Sequence, residues 1–129
     1  SVATAQAQRG GIQVDTVWTL EADAVHPGES IKVALEVKLQ EKFHVHSHKP
    51  LDPLLIPTVL SVEPPAGITL AGTAYPEPIL IQNNFSTEKL AVYEEQFALG
   101  ALLSVAPDVA PGAYTVPARL NYQACDDSN

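Results

Sequence analysis

Residues 31–39 read Ile-Lys-Val-Ala-Leu-Glu-Val-Lys-Leu, with an aliphatic side chain at every second position. Successive side chains on a β-strand point to opposite faces, so Ile31, Val33, Leu35, Val37 and Leu39 share one face. Lys32, Glu36 and Lys38 lie on the other. Such a stretch needs a sheet that is buried on one side and wet on the other.

The rest of the chain repeats that theme in shorter units. Eleven prolines and seven glycines fall mostly between strand-like runs, which suggests a sandwich or barrel. Residues 12–20 form the first run, with Ile12, Val14, Thr16, Trp18 and Leu20 on one face, and 26–29 (His-Pro-Gly-Glu) read as a turn. Residues 43–48 are a third strand, 51–57 an irregular apolar connection, and 58–63 a short strand closed by Pro64-Pro65-Ala66-Gly67. Weaker strands at 68–71 and 79–82 flank Tyr75-Pro76-Glu77-Pro78. Residues 90–105 are expected to be one long strand rather than a helix, because Gly100 sits mid-run and no strong capping signal opens a helix. After a turn at 107–112 comes a last strand at 114–125. Tyr114, Val116, Ala118, Leu120, Tyr122 and Ala124 are its inward set. Thr115, Pro117, Arg119, Asn121, Gln123 and Cys125 are its outward set. Seven to nine strands with little helix imply an all-β, immunoglobulin-like antiparallel two-sheet sandwich, without the disulfide and tryptophan signature of antibody domains.

Composition bounds the function. A chain of 129 residues with 46% apolar content is one ordinary domain. Its net charge of -8 disfavours nucleic acid and anionic membrane surfaces as partners. No apolar run approaches the ~18 residues of a membrane span, so no direct membrane insertion is expected of this segment. Residues 1–11 are small and polar and read as a flexible N-terminal segment, leaving 12–129 as the domain.

Three groups of side chains offer chemistry. Cys125 is the only cysteine, so the chain as given holds no internal disulfide. It falls with the outward set at a strand end, where an accessible thiol is a candidate for exchange. Asp126 and Asp127 disfavour its thiolate, so a partner-driven reaction suits it better than hydrolysis. The plain alternative is a cysteine that merely packs. His44, His46 and His48 come next. On a strand their imidazoles share one face, with roughly 7 Å between successive Cα atoms. Copper or zinc could use such a face, with His26 as a possible fourth ligand. The plain alternative is a polar face whose histidines hydrogen-bond or meet solvent. Third is the polar loop 82–89, whose one aromatic is Phe85. Glu94 and Glu95 are adjacent, so on a strand they point apart and make a poor acid/base pair. No nucleophile-elbow, phosphate-loop or dinucleotide signature is present, and no cofactor is expected.

Together these segments resemble a known family. Phe43-His44-Val45-His46-Ser47-His48-Lys49-Pro50, Leu55-Ile56-Pro57-Thr58, Tyr75-Pro76-Glu77-Pro78, Leu90-Ala91-Val92-Tyr93-Glu94, Pro111-Gly112-Ala113-Tyr114 and Tyr122-Gln123-Ala124-Cys125-Asp126-Asp127 look like the N-terminal periplasmic domain of DsbD-type thiol:disulfide interchange proteins. The last piece is the most specific. The resemblance implies a periplasmic immunoglobulin-like domain, tethered to the inner membrane in the full-length protein. It implies receipt of reducing equivalents from a thioredoxin-like domain of the same membrane protein. These pass to periplasmic thiol oxidoreductases, including those serving cytochrome c biogenesis. By the same resemblance Cys125 is the first half of a cysteine pair, and a cap loop containing Asn84, Phe85 and Ser86 covers it. His44, His46, Tyr122, Asp126 and Asp127 are its implied neighbours. The second cysteine, the one the resemblance expects to form the mixed disulfide with partners, should follow the Asp-Asp turn beyond Asn129. The one-cysteine chain alone is therefore expected not to shuttle two electrons. Two rival readings are a periplasmic copper or zinc site on His44, His46 and His48, and a purely structural adhesion-type sandwich.

Overall fold

A computed structural model describes residues 2–7, 14–20, 24–82 and 88–126. The fold is all-β. Among the described residues, eleven strands run in chain order: β1 (Val2–Ala7), β2 (Val14–Leu20), β3 (Ser30–Leu39), β4 (Phe43–His46), β5 (Val59–Val62), β6 (Ile68–Ala74), β7 (Ile79–Gln82), β8 (Lys89–Glu94), β9 (Gln96–Val105), β10 (Thr115–Asn121) and β11 (Ala124–Asp126). They form three sheets, ordered β2-β3-β9-β6, β11-β4-β8-β7 and β1-β10-β5. Each of these pairings is antiparallel except that of β1 with β10.

The alternation at 31–39 does what its pattern requires. Ile31, Val33, Leu35, Val37 and Leu39 are all buried, and Lys32, Glu36 and Lys38 are exposed. Their register partners on β9 include Leu103, Ala101 and Leu99, which are buried too. This β3–β9 face contributes to a single core with Leu60, Val116, Ala118 and Leu120 from β5 and β10, and Val45 and Tyr93 from β4 and β8. One layer of the immunoglobulin-like sandwich is thus a single four-stranded sheet, and the opposing residues come from two others, of four and three strands.

Two breaks, absent from the expected strand pattern, explain that division. Residues 90–105 are not one strand. Glu95 adopts a left-handed backbone, φ 56°, and turns the chain from β8 in one sheet into β9 in another. The Leu39 N–H donates to the Glu95 carbonyl at 2.7 Å and holds this corner against β3. The expected strand at 114–125 also breaks, at Tyr122-Gln123. Val116, Ala118, Leu120 and Tyr122 face the core as their alternation predicts, but β10 pairs with β5 while β11 pairs with β4. Strands that change sheet through a bend are a standard way to close a sandwich corner. A third difference lies at the N-terminus. Within the segment expected to be flexible, Val2–Ala7 forms β1, in parallel register with Thr115 to Leu120 of β10. The backbone of β10 supplies partners for the segment, and its small residues carry no signal of that.

A non-glycine residue in the left-handed region costs on the order of 1 kcal/mol, and a β-branched one more. Glu95→Gly is therefore expected to leave stability within about 1 kcal/mol of wild type, whereas Glu95→Val should lose more than that. Urea unfolding midpoints of the three proteins check the ordering. Equal stability of the glycine and valine variants would mean that Glu95 carries no backbone constraint.

Candidate functional site

The site is built on the β11–β4–β8 ladder. Cys125 stands directly opposite His44, Ala124 opposite Val45 and Asp126 opposite Phe43. On the other side of β4, His44 is opposite Glu94 and His46 opposite Val92. Directly opposed residues share a face. Cys125, His44 and Glu94 therefore form one row across three strands. Val45 and Tyr93 point the other way, into the core.

Both faces of β4 are covered. His44, Val45 and His46 are each less than 5% exposed. Of the two forms of a polar histidine face, solvated or hydrogen-bonded, His44 and His46 are thus not the solvated one. Their rings lie 6.3 Å apart at 71°, edge to face. Burial depresses the His46 pKa, the neighbouring His44 depresses it further, and a side-chain hydrogen bond with Gln123 partly offsets both. His46 Nδ1 is buried without a hydrogen-bond partner among the described residues, so it is the other ring nitrogen that meets Gln123. An imidazole kept neutral in this way cannot gain a proton without burying a charge.

His48 leaves this group. It lies beyond the end of β4, stacks on Tyr75 with centroids 3.7 Å apart and planes 3° from parallel, and its Nδ1 donates to the Thr58 carbonyl at 3.1 Å. The His48 N–H donates to the Tyr93 hydroxyl, and Thr58 Oγ1 donates to the His46 carbonyl at 2.6 Å. These bonds pin both ends of the apolar connection 51–57. They also spend the third imidazole on structure. Among the described residues no three His, Cys, Asp or Glu side chains are gathered for a metal ion. The trio of His44, His46 and His48 is therefore divided by the end of the strand, and His26 lies exposed in its turn.

Cys125 is half-buried rather than on an open polar face. The departure of β11 from the β10 sheet lays it beside β4. Burial pushes the thiol pKa up, and Asp126 pushes it up further. The unfavourable electrostatics read from Asp126 thus hold, with desolvation as the larger cause. Tyr122 lies buried in the core cluster, with Ala124 packed against it. The proposed cap residues Asn84, Phe85 and Ser86, and Asp127 after the strand, lie outside the described residues. Glu94 is the side chain that sequence reasoning set aside. It is half-buried and opposes His44, while Glu95 is exposed at the corner. Pairing 43–46 with 89–94 was the signal that would have found it.

The two titrating groups predict opposite limbs of a stability profile. His46 has a folded pKa below its ordinary 6.5, so the unfolded chain binds more protons just below that pH. Stability is full above about pH 7 and falls as pH drops through 6.5 toward the folded value. Cys125 has a folded pKa above its ordinary 9.0, so the unfolded chain loses its proton first and stability falls as pH rises past 9.0. Each limb has a slope no greater than about 1.4 kcal/mol per pH unit. Urea unfolding across pH should show His46→Phe flattening the acid limb and Cys125→Ser the alkaline one. Unchanged slopes would mean that neither group is perturbed by folding.

No curated relative and no solved structure gives a significant match to the chain. A family model does, over residues 10–129, and its description is thiol:disulfide interchange protein DsbD, N-terminal. That match spans β2 to β11 and includes the Cys125–His44–Glu94 row, leaving only β1 outside it. Nearly the whole chain is covered and its all-β architecture agrees, so this protein belongs to the DsbD N-terminal family of thiol:disulfide interchange proteins.

Proposed function

We propose that the domain is a periplasmic exchange module that passes reducing equivalents from a thioredoxin-like domain to periplasmic oxidoreductases, with Cys125 as one half of its redox pair. The observation that carries this is the placement of Cys125. The only cysteine of a chain from a thiol:disulfide interchange family sits on a short edge strand, half-buried and next to a buried histidine. The reaction needs no cofactor. A thiolate of the reduced partner attacks the domain disulfide, forming a mixed disulfide and releasing one domain sulfur as thiolate. The second partner thiol then displaces the other domain sulfur. The partner leaves oxidised and the domain leaves reduced, two electrons richer. The reduced domain repeats the exchange in the forward direction on an oxidised oxidoreductase.

The electrostatics around Cys125 protect the thiol between encounters. A thiol with a raised pKa rests protonated, and a protonated thiol reacts slowly with stray oxidants and disulfides. The tether to the inner membrane and the thioredoxin-like donor within the same protein are parts of this reading that belong to the full-length protein.

The test uses the domain extended to include a second cysteine after the Asp126-Asp127 turn. Oxidised domain is mixed with a reduced thioredoxin-like domain whose resolving cysteine is replaced by serine. A mixed disulfide should accumulate on a non-reducing gel, and reduction by the unmodified partner should free both domain thiols. Cys125→Ser in the domain should abolish two-electron transfer. Absence of any adduct with partner thiols would sink the proposal.

A further inference from the structure

Residues 47–58 form a loop whose two ends meet and whose tip stands in water. Leu54 is 89% exposed, Leu51 61% and Ile56 51%. Single exposed aliphatics are ordinary on a protein surface, but here three stand within six residues. We propose that this loop is a docking surface for the thioredoxin-like partner, with Leu51, Leu54 and Ile56 packing on an uncharged apolar surface beside the partner's cysteines. The inference rests on the reading of the domain as an exchange module, and adds to it the surface that brings the partner in.

The loop is held in shape although its tip is exposed. Pro50, Pro53 and Pro57 fix their own φ angles. The Asp52 carboxylate accepts the Leu54 N–H at 2.9 Å, and its carbonyl accepts the Leu55 N–H at 3.1 Å. At the base the Thr58 N–H donates to the Ser47 carbonyl, and the Lys49 N–H to the Ser47 hydroxyl. The His48 ring, stacked on Tyr75 and bonded to the Thr58 carbonyl, clamps the same base. A connection that only had to lead from β4 to β5 would gain nothing by ordering apolar side chains in water. An ordered apolar loop gains on association, because its conformational entropy has already been lost.

The occupant follows from where the base stands and from what exchange demands. Thr58 Oγ1 bonds to the His46 carbonyl, and His46 lies two residues along β4 from His44, the register partner of Cys125. At ~3.3 Å per residue and ~5 Å between strands, the Cα atoms of His46 and Cys125 are about 8 Å apart. A cysteine that pairs with Cys125 has its Cα within ~7 Å of it, so both sulfurs of the pair belong to this end of the sandwich. Whichever of them forms the mixed disulfide, the partner's sulfur comes within ~2 Å of it. A standard interface covers ~800 Å² on each side, a disc of about 16 Å radius. The base of the loop falls inside that disc, so a partner seated on the redox pair also meets the loop. Charge agrees. Between Lys49 and Glu63 the only charged side chain is the half-buried Asp52, in a chain of net charge -8. The centres of interfaces are depleted of charge in the same way.

The test uses the extended domain with its second cysteine, oxidised, and the reduced thioredoxin-like domain. The rate of reduction by this partner is compared with that by dithiothreitol, a small reductant that needs no docking surface. Leu54→Ser and Ile56→Ser should each lower kcat/KM for the partner about tenfold, chiefly by raising KM, and leave the dithiothreitol rate and the unfolding midpoint unchanged. Val17→Ser, which removes an exposed aliphatic from β2 in the other layer, should change neither rate. Loop variants as fast as wild type with the partner, or slowed equally with dithiothreitol, would overturn the proposal. A domain that sediments as a dimer, dissociated by Leu54→Ser, would assign the loop to a second copy and overturn it too. A wild type that dithiothreitol reduces but no thioredoxin-like partner does would sink the relay itself, and the docking surface with it.

Discussion

Three rungs of antiparallel ladder decide where the thiol sits. Ala124, Cys125 and Asp126 pair with Val45, His44 and Phe43, and this is the whole of β11. Had the chain continued in the β10 register, Cys125 would have stayed in the sheet of β10 and β5, away from β4. The break at Tyr122-Gln123 instead carries it across the sandwich corner. Tyr122 remains buried in the core, which anchors the last residue before the crossing. Gln123 then bonds to His46, which anchors the first residue after it. The position of the sulfur is therefore set by groups on both sides of the break, not by the short ladder alone.

That placement puts polar chemistry in an unusually dry setting. β4 is four residues long, and three of them are almost fully buried. Val45 serves the core while His44 and His46 face the other way. A buried imidazole with an unpartnered nitrogen costs stability of the order of 1–3 kcal/mol. A fold carries such a cost more readily at a functional site than in its core. The rest of the protein offsets it through the β3–β9 face, where the aliphatic alternation is uninterrupted from Ile31 to Leu39.

The sequence was most legible where one face alone is buried. The alternation at 31–39 and the inward set Val116, Ala118, Leu120 and Tyr122 both lie as their period predicts. It was less legible where both faces are buried, because alternation then says nothing about exposure. His44 and His46 looked like a polar face for that reason. The corner at Glu95 was hidden too: a glutamate gives no sign that it will adopt positive φ, and the apolar pattern runs on through it. His48 continued the period-2 spacing of His44 and His46, yet the strand stops at His46 and the ring turns to Tyr75. Spacing along a chain predicts a shared face only as long as the strand lasts. The row of Cys125, His44 and Glu94 is a property of pairing between strands about fifty to eighty residues apart in sequence, and no local pattern encodes that.

A raised thiol pKa has two opposed effects on exchange. A thiol less acidic by a factor of ten has about tenfold less thiolate near neutrality. The thiolate that does form is a better nucleophile, by about 0.4–0.5 log unit for the same change. The net result is a thiol slower by roughly half a log unit. The same loss of acidity makes Cys125 a poorer leaving group, since release is faster for a more acidic thiol. Left alone, the environment of Cys125 would slow both directions of a relay. In return, a standing thiolate is scarce, so stray disulfides find little to react with between encounters. Burial of Cys125 therefore exchanges speed for protection, and the driving force for exchange has to come from the docked partner rather than from the resting thiol.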